Sequence, residues 1–160
     1  SYIGTLIETP PLYENLTAYE NLKVRAELLK LSDERIREVL EIVGLKNTEK
    51  KRAGQFSLGM KQRLGIALAI LNKPRLLILD EPTNGLDPVG IEELRELICS
   101  FPEQGITVIL SSHILSEVEQ IADDIGIISN GKLGYEGKLH SGENLEQLFM
   151  RIVKEHRKEF

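Results

Sequence analysis

The sequence has one cysteine, Cys99, in 160 residues. With no second thiol and no Cys/His cluster around it, neither an internal disulfide nor a cysteine-based zinc site is available, and a reducing cytoplasm is the compartment that fits. No stretch reaches the about 18 consecutive apolar residues of a membrane span, and no basic-then-apolar signal segment is present. The expectation is that any membrane role runs through a partner. Basic charge is also scarce: 20 Lys and Arg stand against 25 Asp and Glu, a net charge of -5. No stretch gathers enough cations to neutralise a row of phosphates, which argues against a general nucleic-acid binder. A solvated acidic surface is the plain reading. Internal repeats and low-complexity segments are missing too. What is there, 41% apolar and 28% charged residues, is the balance of about one globular domain with a real core.

The pattern of residues changes along the chain. Ile3 to Ile7 reads as a short strand running into a Pro10-Pro11 loop, because consecutive prolines continue neither a ladder nor a helix. Thr17-Ala18-Tyr19-Glu20 is a capping box that opens a helix to about Leu31. A second helix starts at Ser32-Asp33-Glu34, buries Ile36, Val39, Leu40 and Val43, and stops at Gly44. A third begins near Ser57 and ends before Pro74. From Arg75 the period shifts. Leu76-Leu77-Ile78-Leu79 reads as a strand buried on both faces. Asp87-Pro88 supplies an N-cap and a first-turn proline for a helix, and a second buried strand follows at Ile106–Leu110. A helix over Leu115–Ala122 and a strand over Ile125–Ser129 complete an α/β alternation. Asn130-Gly131 then turns a hairpin into Lys132–Glu136, and a last helix follows Ser141.

Three places carry candidate chemistry. Ligands collect at the carboxyl ends of strands in parallel sheets, so the adjacent carboxylates of Asp80 and Glu81, closing the strand Leu76–Leu79, are well placed to meet one. Asp80 is suited to hold Mg²⁺ and Glu81 to take a proton from water, although an acidic turn after a strand is common. The next strand ends in Ser111-Ser112-His113, at the same edge if the strands are parallel; the histidine is suited to donate to a phosphate oxygen. At the start of the third helix, Ser57 and Gly59 stand where unpaired amides and the helix dipole favour an anion. A plain N-cap explains Ser57, but not a poor helix former at Gly59.

Taken together, Phe56-Ser57-Leu58-Gly59-Met60-Lys61-Gln62-Arg63 resembles the signature motif of ATP-binding-cassette (ABC) ATPases. Leu76–Glu81 resembles their Walker B strand, Asn84-Gly85-Leu86-Asp87 their D-loop and His113 their switch histidine. The resemblance implies an α/β fold, the P-loop NTPase (RecA-like) mainly parallel sheet with an inserted helical subdomain. Residues 1–16 would form the Q-loop region, 17–73 the helical subdomain and 74–160 the RecA-like part of a single partial domain. It also implies ATP and Mg²⁺ as cofactors. Glu81 would be the general base, Asp80 a support for Mg²⁺ and His113 a contact to the γ-phosphate. Ser57, Gly59 and, in the D-loop, Asp87 would be the nucleotide-binding residues, with Ser57 and Gly59 reaching nucleotide held by a second ATPase subunit in a head-to-tail dimer, and a transmembrane permease would be the partner at the cytoplasmic face of a bacterial membrane.

Two departures, Leu58 for a second glycine and Met60 for glutamine, also occur in relatives that energise drug and peptide export. Glu8 stands where most relatives have the Q-loop glutamine. A carboxylate there still binds Mg²⁺ or orients water but adds negative charge beside the triphosphate. The run Ile7 to Leu22 resembles the exporters of lantibiotics and bacitracin-type peptides, in which glutamate at this place is familiar.

Gly126-Ile127-Ile128-Ser129-Asn130-Gly131-Lys132 matches part of a phosphate-binding loop. It is rejected because Leu133 replaces the Mg²⁺-binding Ser or Thr and the segment reads strand-turn-strand; Gly137-Lys138-Leu139 fails similarly. The expectation is that the N-terminal strands and the Walker A loop precede residue 1, and that these residues alone bind ATP poorly and hydrolyse none. The alternatives are a non-transport relative acting on DNA or the ribosome, and a non-catalytic binding module. The sequence shows neither the long coiled coil nor the paired cassettes that the first tends to carry.

Overall fold

The computed structural model describes residues 2–48, 50–138 and 144–157. Ser141, expected just before the last helix, and Leu139 lie outside the described residues. The chain divides into two compact units, Ser1–Ser111 and Ser112–Phe160.

In the first unit, β1 (Ile3–Ile7) leads through loops and helices to β2 (Leu76–Asp80), and then to β3 (Thr107–Ser111). The three strands form one parallel sheet in the order β1-β2-β3. Between β1 and β2 lie α1 (Ala18–Leu29), α2 (Asp33–Ile42) and α3 (Leu58–Ile70), and α4 (Pro88–Ser100) joins β2 to β3. Local chemistry sets these boundaries. The Thr17–Glu20 capping box is formed in both directions, and Lys30 closes α1 in the left-handed conformation. Gly44, at φ +69, ends the α2 segment. Asp87 caps α4 through its side chain, with Pro88 at the first position. Arg35 of α2 donates to the carbonyls of Ile70 and Leu71, at 2.6 and 2.9 Å, and so terminates α3 with a cation at the negative end of its dipole.

Helix α3 is apolar nearly all round: Leu64, Ile66, Ala67, Ala69 and Ile70 are buried. It is the middle of the unit, packed against β1, α1, α2 and α4. Loop residues 13–17 are held by Asn21, a buried amide that accepts from Tyr13 N and donates to Tyr13 O and Thr17 O.

The expected two-sided burial of the strands needs correction. In β2, Leu77 and Leu79 are buried but Leu76 and Ile78 on the other face are only half-buried, and β3 has no fully buried residue and exposes Ile109.

The second unit contains α5 (Leu115–Ile121), β4 (Asp124–Ser129), β5 (Lys132–Lys138) and α6 (Leu145–Arg157). Ile125, Ile127, Leu145, Leu148 and Ile152 form its core. Strand β4 does not extend the parallel sheet; it pairs antiparallel with β5. Asn130 and Gly131, at φ 51 and φ 74, make the turn that a two-residue hairpin demands. That turn settles the phosphate-loop look-alike: its glycine and lysine open a second strand, where a phosphate loop opens a helix.

Candidate functional site

The sheet register brings three strand ends together. Ile7 is paired with Asp80, and Asp80 with Ser111. Because the strands are parallel, these are all carboxyl ends, and the next residues of β1 and β2 are Glu8 and Glu81. Both glutamates have left-handed backbones, at φ 48 and φ 46. That conformation is unfavourable for a residue with a Cβ and concentrates where surrounding structure holds the chain in place.

Ser111 supplies that hold at Glu81. Its hydroxyl donates to Asp80 Oδ1 at 2.5 Å and accepts from Glu81 N at 3.0 Å, while its carbonyl accepts from the same N–H at 3.2 Å. At Glu8 the hold comes from α3: Gln62 Nε2 donates to Glu8 O at 3.4 Å. Gln62 is buried, and its Oε1 has no hydrogen-bond partner.

The start of α3 forms a second cluster. Ser57 Oγ accepts from Met60 N at 3.3 Å, so the serine is an N-cap in its own helix. A Cβ added to Gly59 would lie 3.8 Å from Leu86, and one added to Gly85 would lie 3.1 Å from Leu58 Cδ2. The helix start therefore rests on the turn 84–87, and Leu58 is the side chain that fills the contact. Asp87 Oδ1 is engaged by Gly90 N at 2.7 Å, the cap of α4.

The structure thus brings Glu8, Asp80 and Glu81 to one sheet edge, and Ser57, Gly59 and Asp87 to the meeting of α3 with the turn before α4. His113 stands two residues past β3, at the beginning of the second unit. Among the described residues no three of His, Cys, Asp and Glu converge as a metal cage. Asp80 suits Mg²⁺ as one ligand among several, since that ion takes one or two carboxylates and fills its remaining positions with water and phosphate oxygens.

Ser111 and Gln62 both fall inside the sequence motifs, yet the motifs alone give neither of them a task. The signal for Ser111 is its position: in a parallel pair, the hydroxyl at the end of one strand faces the carboxylate at the end of the next.

A family model described as ABC transporter matches residues 1–84. The chain is 58% identical over 147 residues to the lantibiotic transport ATP-binding protein SrtF of Streptococcus pyogenes, an overlap covering 92% of this chain and 64% of that protein. It is 59% identical over 133 residues to the bacitracin transport ATP-binding protein BcrA of Bacillus licheniformis, covering 82% of this chain and 44% of that one. The chain therefore spans less than two thirds of the length of these relatives. A solved structure of the ATP-binding subunit of an ABC transporter superposes with a TM-score of 0.79 at 33% identity, over 95% of this chain and 68% of the other.

Proposed function

The chain belongs to the ABC transporter ATPase family, and from that premise we propose that it is part of the ATP-hydrolysing subunit of an exporter of peptide antibiotics or drug-like molecules. The observation that carries the proposal is the sheet edge: Asp80 closes β2 and Glu81 follows it, with Glu8 one strand over, in a chain 58% identical to a lantibiotic transport protein.

In this reading ATP and Mg²⁺ are the cofactors. Mg²⁺ supplies charge neutralisation for the phosphates, with Asp80 and Glu8 as the carboxylates that would support it. Glu81 takes the proton from the attacking water, and His113 donates to the γ-phosphate. Ser57 and Gly59, at a helix start with outward amides, receive the phosphates of nucleotide held by a second subunit in a head-to-tail dimer, with Asp87 beside them. The segment 17–73 is the helical subdomain, and 1–16 and 74–160 are the Q-loop and RecA-like parts. No helix among the described residues is long and apolar enough to cross a membrane. A separate transmembrane permease would carry the substrate, and this subunit would work at the cytoplasmic face.

Deleting the gene and measuring susceptibility to lantibiotics and bacitracin-type peptides tests the reading. Loss of resistance that a plasmid copy restores is expected. Unchanged susceptibility to both classes would remove the peptide-export assignment.

A further inference from the structure

Ser111 stands at the carboxyl end of β3, in register with Asp80. Two groups of fixed hydrogen-bonding character meet its hydroxyl. An ionised carboxylate only accepts, and a peptide N–H only donates. A hydroxyl satisfies both at once, with its single proton on Asp80 Oδ1 and a lone pair toward Glu81 N, and the observed distances of 2.5 and 3.0 Å are those of two formed bonds. Alanine or valine would satisfy neither.

The placement matters at the end of the neighbouring strand. Glu81 turns left-handed at φ 46 immediately after β2, so the direction of its side chain depends on what holds its amide. The Ser111 carbonyl shares that amide at 3.2 Å, but the carbonyl does nothing for Asp80. The hydroxyl couples the two acidic residues: it fixes the rotation of the Asp80 carboxylate, keeping Oδ1 occupied, and pins the backbone from which Glu81 departs.

We infer that Ser111 is a positioning residue that sets the Asp80 carboxylate and the Glu81 backbone together through one hydroxyl. The inference deepens the proposed function and rests on it for its consequence in catalysis, whereas the hydrogen-bonding role stands on the geometry alone.

The test uses the full-length subunit with Ser111→Ala and Ser111→Thr. Threonine keeps the hydroxyl and suits a strand end. In the first arm, without nucleotide or Mg²⁺, amide hydrogen exchange is followed by NMR. The Glu81 amide keeps its bond to the residue-111 carbonyl, so it is expected to exchange about three- to fivefold faster in Ser111→Ala, part of the effect of one ordinary hydrogen bond, and to return to the wild-type rate in Ser111→Thr. The amide of Ile78, inside β2, is expected to be unchanged in both, reporting an intact sheet. In the second arm, ATP turnover is measured against Mg²⁺ concentration. Ser111→Ala is expected to lower kcat by roughly 10- to 100-fold and to raise the Mg²⁺ requirement, as for an outer-shell partner, with KM for ATP little changed; Ser111→Thr restores both. Unchanged Glu81 exchange in Ser111→Ala, or failure of threonine to rescue kcat, overturns the inference. Absence of turnover in the wild type would instead refute the proposed function, and the exchange arm would then decide the role of Ser111 by itself.

Discussion

Gly4 of β1 lies against the backbone of Ala69 in α3: a Cβ built on Gly4 would come within 2.3 Å of the Ala69 carbonyl oxygen. The obstacle is main chain, so no rotamer change relieves it. One turn earlier on the same helix, a Cβ at Gly65 would meet Pro10 and Leu6 at 2.7 and 2.8 Å. Two glycines, one on each element, allow the helix to sit close on the strand that ends at Glu8. Gly4→Ala is therefore expected to destabilise the protein by about 1–3 kcal/mol, the usual cost of overpacking. Chemical denaturation measures it, and a midpoint equal to wild type would show that α3 moves aside freely.

Gly59 makes the opposite case. A Cβ there meets only Leu86 at 3.8 Å, an ordinary contact, and in the first turn of a helix alanine is the better residue by up to about 1 kcal/mol. Gly59→Ala is thus expected to leave stability unchanged or slightly raised. If the glycine serves close approach to a phosphate across a dimer, the same substitution lowers ATP turnover at least tenfold. Stability and turnover are both needed: a fall in both would mean that the glycine is structural, and no fall in either would separate Gly59 from the phosphates.

Acid should weaken the helical region through groups that can be named. The Thr17 N–H donates to Glu20 Oε2 at 2.8 Å. That backbone bond, aided by the Thr17 hydroxyl, holds the Glu20 carboxyl below its ordinary value of 4.5. Lys23, 2.6 Å from Asp33, lowers the aspartate in the same way. A folded pKa below the unfolded one means that the contribution is present above the unfolded value and is lost as pH falls through the folded one. The urea midpoint is expected to hold between about pH 5 and 8 and to decline below about pH 4.5. Glu20→Gln keeps a capping side chain but cannot titrate, so its acid decline should be shallower. Parallel declines in the two proteins would show that Glu20 contributes nothing to the pH dependence.

Features that depend on neighbours in sequence were legible before the structure: the Thr17–Glu20 box, the Asp87-Pro88 helix start, the Asn130-Gly131 turn and the acidic end of β2. Each is written in two to four consecutive residues whose chemistry permits little else. The exposure of Ile109 was not legible, because burial of a strand depends on what lies over each face, and an apolar residue is the same letter in either case. The antiparallel pairing of β4 with β5 was legible in the Asn130-Gly131 hairpin. The site divides along the same line. Asp80 and Glu81 stood out through their own chemistry, whereas the task of Ser111 required the register between β2 and β3, and that of Gln62 required the approach of α3 to the residue after β1.

Glutamine in place of Glu81 has nearly the same shape, tolerates the left-handed backbone no worse, and leaves the amide bonds of residue 81 to Ser111 in place, because those belong to the main chain. What it loses is the capacity to accept a proton. In the full-length subunit, Glu81→Gln is expected to reduce ATP turnover by roughly 10²- to 10⁴-fold, the range for a lost general base, with ATP affinity and thermal stability close to wild type. Asp80→Asn acts on a different step: it removes a ligand charge for Mg²⁺ while keeping an amide oxygen that still accepts from the Ser111 hydroxyl, so its loss of turnover should be partly recovered at high Mg²⁺, whereas that of Glu81→Gln should not be. Steady-state phosphate release across a Mg²⁺ series separates the two. Near-normal turnover in Glu81→Gln would transfer the base to another residue, and equal recovery of both variants by Mg²⁺ would make Glu81 a metal ligand.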